Sequence, residues 1–122
     1  MTGDWRQRLL GQIGDLTDAL GTADAWQGTT RMSAGDVPAA MIGQMVLCEL
    51  VIHGWDLAKA TGQEFHCDAQ VAAALTEIMR HLGEQGRQMK VFGPAVPIAE
   101  SAGELEQVLA LSGRDPAWAP AA

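Results

Sequence analysis

Glu49 and His53 stand four residues apart in the run Glu-Leu-Val-Ile-His-Gly-Trp-Asp-Leu-Ala-Lys-Ala-Thr-Gly, residues 49–62. On a helix that spacing stacks a carboxylate and an imidazole on one face. Met45 and Ile42 precede them on that face, Val46 flanks it, and Asp56 and Ala60 follow, so the pair is expected to point inward. An inward carboxylate and imidazole need partners, because stranding a polar group away from water costs about 1–3 kcal/mol. Two roles of the pair itself meet that need. It does acid-base work through an imidazole whose tautomer a carboxylate fixes, or it locks the helices as a buried ion pair.

Met41 and Met45 lead up to Glu49 and, with Trp55, are candidates to line a substrate pocket; filling the core is the competing role for all three. Asp56 comes next in the polar line, with a salt bridge to Lys59 as its expected part. Arg114 and Asp115 are expected to brace the turn they share, leaving Arg114 free to meet an anionic ligand if Trp118 folds over a pocket mouth. Gly-Gln-Ile-Gly at 11–14 looks like a phosphate loop but sits inside a helical pattern with no preceding strand, so it is discarded.

The elements that must hold these residues are helical. Trp5, Leu9, Ile13, Leu16 and Leu20 recur at helical intervals and predict a helix over about 4–20, opened by Asp4 and closed by Gly21. Residues 21–35 lack a period and read as a loop. Asp36 and Pro38 then open a helix over about 37–61 that is apolar nearly all round and must therefore be surrounded. Asp68 caps a third over about 68–82, with Val71, Leu75, Ile78 and Leu82 as its stripe. Residues 90–98 read as extended, Ser101 to Glu104 as a capping box opening a helix over about 102–112, and 113–122 as a tail.

Composition narrows the function classes. The 122 residues suit one domain, and a net charge of −7 argues against nucleic acid, whose binders need a cationic footprint. An anionic membrane surface is disfavoured for the same reason. No apolar run approaches the roughly 18 residues of a membrane span, and the first residues lack a signal-peptide pattern, so the chain reads as soluble and cytoplasmic. Cys48 and Cys67 form neither a disulfide framework nor a zinc spacing. Three substantial helices, the central one apolar on all sides, do not obviously bury that helix within a single copy of the chain. A second copy would, which predicts a homodimer with the central helices near the interface.

Three stretches carry a resemblance: residues 49–63, Val-Phe-Gly-Pro-Ala-Val-Pro-Ile at 91–98, and Ser-Gly-Arg-Asp-Pro-Ala-Trp at 112–118. Together they are similar to the C-terminal part of the DinB-like, mycothiol-dependent enzyme superfamily, which includes the mycothiol-dependent maleylpyruvate isomerases; the similarity runs from about Trp5 to Trp118. The resemblance implies an all-α DinB-like bundle and a divalent metal, usually zinc, with Glu49 and His53 as two of its ligands. A catalytic zinc takes three protein ligands and keeps one position open. His81, bordering the apolar stripe of the third helix, is the candidate third ligand within the chain, since His66 lies beyond the expected helix end and Cys48 is turned about 100° around the helix from Glu49. It also implies thiol transfer or isomerisation with mycothiol thiolate as nucleophile. Family members normally carry two further helices before the position where this chain starts, and a ligand histidine lies there. The expectation is thus a truncated bundle completed by dimerisation. Its alternatives are a metal-free isomerase or cyclase using His53 as acid and base, and a non-catalytic helical binding or dimerisation module.

Overall fold

The computed structural model describes residues 3–32 and 35–120. The chain is mostly helical: α1 (Trp5–Leu20), a 3-10 turn (Ala23–Trp26), β1 (Thr29–Met32), β2 (Gly35–Pro38), α2 (Ala39–Ala60), α3 (Ala69–Gln88) and α4 (Glu104–Leu111). It divides into two compact units, Met1–Met45 and Val46–Ala122, with the boundary inside α2.

In the first unit, α1 follows the expected stripe but has no buried residue; Trp5, Leu9, Ile13 and Leu16 are all exposed. Asp4 does not cap the helix through its side chain and pairs with Arg8 instead. The segment expected as a loop contains a structured turn and the first strand of an antiparallel hairpin, with Thr30 opposite Val37 and Arg31 opposite Asp36. Asp36 and Pro38 therefore belong to β2 and do not open α2. Pro38 is tolerated because it lies at the end of an edge strand, where a missing N–H costs little. Trp26 lies flat where Gly43 leaves space: a Cβ on Gly43 would come within 2.3 Å of its ring, and its Nε1–H donates to the Leu20 carbonyl at 2.7 Å.

The second unit holds the main core. Cys48, Val51 and Ile52 of α2 meet Leu75 and Met79 of α3 and Val108 of α4, with Phe65, Val71, Phe92 and Leu105 packed around them. The buried α2 residues of this unit, Cys48, Val51, Ile52, Trp55 and Ala58, follow one helical stripe. Gly54 admits the Phe65 ring, whose edge would sit 2.9 Å from an added Cβ. Asp68 caps α3 by accepting the Gln70 N–H, as its position predicts. The helix runs past the expected stop at Gly83, which is buried and faces Arg87 and Met79. The N-cap of α4 is Gly103, whose N–H donates to Glu106, rather than Ser101. Residues 90–98 form no regular strand, although the Val96 N–H donates to the Ala110 carbonyl at 2.9 Å.

Helices α2 and α4 end alike. Gly62 and Gly113 take left-handed backbone angles, φ 67° and 86°. After them, the Gln63 and Arg114 N–H groups reach back to the Ala58 and Leu109 carbonyls, at 2.8 and 2.9 Å. This double reach-back turn reverses the chain sharply and fixes the direction in which the next residue leaves. For α4 that next residue is Arg114. Gly113 has a second constraint, because an added Cβ would lie 2.8 Å from the backbone of Gly93, whereas one on Gly62 would meet nothing. Gly113→Ala is therefore expected to cost about 2–3 kcal/mol and Gly62→Ala about 1 kcal/mol, the difference being the backbone collision. Urea denaturation of the two variants measures this; equal losses would show that left-handed strain alone matters.

Candidate functional site

The register of α2 against its core decides where the chemistry-bearing residues go. Cys48 occupies the buried stripe, so Glu49, one residue and about 100° further round, does not. The expectation that Glu49 and His53 face inward is corrected: their side chains are 60% and 59% exposed. The apolar residues around them misled the sequence reading, since Leu50 and Leu57, which flank the pair, are themselves 56% and 64% exposed.

Although exposed, His53 is held at both nitrogens. Its Nδ1–H donates to Asp56 Oδ2 at 3.0 Å, and its Nε2 lies 3.1 Å from Glu49 Oε2. Asp56 is in turn gripped by Arg114, whose Nε and terminal nitrogen donate to Oδ1 and Oδ2 at 3.1 and 2.8 Å. This fork-on-fork pair joins residues 58 positions apart and ties the segment after α4 to the outer side of α2. Arg114 also contacts the Ser112 carbonyl at 3.3 Å, which steadies the guanidinium. The expected partners were local ones, Lys59 for Asp56 and Asp115 for Arg114. Asp115 instead accepts the Ala117 N–H to form its own turn, and the Lys59 ammonium sits over the Trp55 ring at 5.6 Å. The sequence signal for the long-range bridge was the left-handed glycine ahead of Arg114, which aims the arginine away from its neighbours.

The other candidates lie elsewhere. His81 is exposed on α3, its Nδ1–H donating to the Glu77 carbonyl one turn back at 2.8 Å. His66 pairs loosely with Glu64 at 3.6 Å. Among the described residues no three His, Cys, Asp or Glu side chains converge as a metal site, which corrects the grouping of Glu49, His53 and His81. The 3.1 Å between Glu49 Oε2 and His53 Nε2 resembles the spacing of neighbouring ligands on tetrahedral zinc, and Asp56 on Nδ1 would be the usual outer partner. A third donor is missing among the described residues, so they do not by themselves fit a catalytic zinc. Met41 and Met45 are half-buried on the portion of α2 assigned to the first unit, and Trp55, 6% exposed, belongs to the core of the second. The cysteines are not poised nucleophiles: burial, reinforced by Glu49, pushes the Cys48 thiol up to about 11, and burial also raises Cys67.

Compared with protein-family models, curated proteins and solved structures, the chain matches none. Among the described residues, no helix is long and apolar enough to cross a membrane.

The Asp56 carboxyl is held below its ordinary value of 3.8, chiefly by the Arg114 hydrogen bonds and further by His53, against an opposing push from burial. A carboxyl lowered in the folded state adds stability that is complete above the ordinary value and drains away as pH falls through the lowered one. Arg114→Gln is expected to return Asp56 toward the ordinary carboxylate range and to cost about 1–2 kcal/mol near neutral pH, the bridge being partly exposed. Carboxyl-carbon NMR titration and pH-dependent denaturation measure the two effects. An unmoved Asp56 titration would show that Arg114 does not govern it.

Proposed function

We propose that the outer face of α2 is an incomplete centre for small-molecule chemistry, closed by a second copy of the chain, with His53 as its acid-base group. The observation that supports this most is the polar chain itself. Arg114 fixes Asp56, Asp56 holds Nδ1–H of His53, and Nε2 is left as the nitrogen that can exchange a proton. A carboxylate on Nδ1 sets the tautomer and stabilises the imidazolium that forms when Nε2 takes a proton. Glu49 stands beside Nε2 as a second group able to pass a proton. The chemistry this suits is isomerisation or cyclisation: Nε2 removes a proton from one atom of a substrate and the ring returns it to another, with no net redox change.

Such work benefits from exclusion of water, which the exposed face lacks in a single copy. Leu50, His53 and Leu57 follow one another at helical spacing, so the imidazole sits between two exposed apolar side chains. A second copy facing the same side of α2 can cover it, because a two-fold pair repeats every contact. The thiol-transfer version implied by the resemblance to mycothiol-dependent enzymes would need its third metal donor from the facing surface. The 59–60% exposure of the pair supports a second reading, a non-catalytic dimerisation module in which the polar chain is structural.

Sedimentation equilibrium separates these readings when paired with ligand screening by thermal shift. The wild type is expected to be dimeric, Leu57→Glu monomeric with its helical dichroism kept, and His53→Gln dimeric but unable to bind small molecules that stabilise the wild type. A monomeric wild type contradicts the completed centre. Stabilising ligands that ignore both substitutions leave only the module.

A further inference from the structure

A second feature of the Val46–Ala122 unit is independent of the Glu49–His53 reading. On the side of α2 where Arg114 arrives, a cleft of about 470 Å³ is lined by Trp55, Asp56, Lys59, Arg114, Asp115 and Trp118, with Gly113 at its base. We propose that this cleft binds a small aromatic carboxylate.

Two indoles form the cleft's apolar walls. Trp55 is almost wholly buried and offers the cleft a limited face, whereas Trp118 is 46% exposed. An indole so exposed on a segment otherwise well tied down offers a planar apolar surface to the cleft it lines. The tie is specific: the Gly113 turn, the Arg114 bridge to Asp56, and the turn closed by the Trp118 N–H on the Asp115 carbonyl at 3.0 Å. The indole is therefore carried on a braced segment, so a ligand pays little to order it. A flat ring is the complement of such a wall.

Charge selects the second half of the ligand. Asp56 is already engaged by two Arg114 hydrogen bonds and one from His53. Asp115 is exposed, and one of its oxygens accepts the Ala117 N–H. Lys59 is half-buried, and among the described residues no carboxylate forms an ion pair with it. Among the described residues the Lys59 ammonium rests only on the Trp55 ring, while one Asp115 oxygen already holds an N–H, so the ammonium is the less satisfied of the two charges. Lys59 also occupies the face of Trp55 on which a cationic ligand would otherwise rest. An anion is thus drawn in and a cation turned away. One side-chain carboxylate beside an aromatic ring satisfies both walls.

The test uses the full chain and three probes sharing one ring: indole-3-acetate, tryptamine and 3-methylindole. Proton–nitrogen NMR follows the indole N–H signal of Trp118, assigned through Trp118→Phe. Indole-3-acetate is expected to shift that signal saturably, with an affinity of about millimolar order typical of a small, open site. Tryptamine and 3-methylindole are expected to bind at least about tenfold more weakly, and Lys59→Met to weaken the acid by a similar factor, with recovery in Lys59→Arg. No saturable shift, or equal binding of acid and amine to the wild type, would overturn the proposal. Full binding by a folded Lys59→Met protein would do the same. If Lys59→Met fails to fold, the acid-against-amine comparison on the wild type decides.

Discussion

The bidentate bridge between Arg114 and Asp56 is the contact on which the outer side of α2 depends. Its two ends are 58 residues apart, and each has a separate task once they meet. On one side, the bridge presents Asp56 to Nδ1 of His53, whose Nε2 faces Glu49. On the other, it holds the segment after α4 against α2, which carries Trp118 to the edge of a cleft. A lysine would supply the charge but not the planar fork, which matches both carboxylate oxygens at once.

The bridge is possible because of packing beneath it. Helix α2 turns Cys48, Val51, Ile52, Trp55 and Ala58 toward the core, and Val108 and Leu109 anchor α4 in the same unit. The end of α4 then needs a sharp reversal, and Gly113 provides it against the backbone of Gly93. A hydrophobic register, a left-handed glycine and a guanidinium thus act in series. Asp56, at the boundary of the buried stripe, is near enough to the core to be reached and exposed enough to remain charged.

Much of the helical framework was legible from periodicity and end signals. The stripe of α3 and its Asp68 cap, the stripe of α1, and the ends of α2 and α4 near residues 61 and 112 all follow local rules that need no distant contact. Two kinds of feature were not legible. The hairpin at Thr29–Met32 and Gly35–Pro38 has no alternating apolar pattern, since most of its residues are exposed, so nothing distinguished it from a loop. The direction of Glu49 and His53 failed because α2 is apolar almost all round, and such a helix does not announce which stripe meets its core. A register about 100° away from the assumed one exposes the pair and buries Cys48 instead. The Asp56–Arg114 contact was hidden for a different reason, because nearby Lys59 and Asp115 offered each residue a partner in sequence.

The central claim is that a carboxylate, fixed from across the fold, sets the hydrogen on His53. Long-range proton–nitrogen NMR of the histidine ring near neutral pH tests it most directly. The account predicts hydrogen on Nδ1 in the neutral ring of the wild type, and a shift toward hydrogen on Nε2 in Asp56→Asn and, to a lesser degree, in Arg114→Gln. A ring with the same nitrogen signals in all three proteins would contradict it.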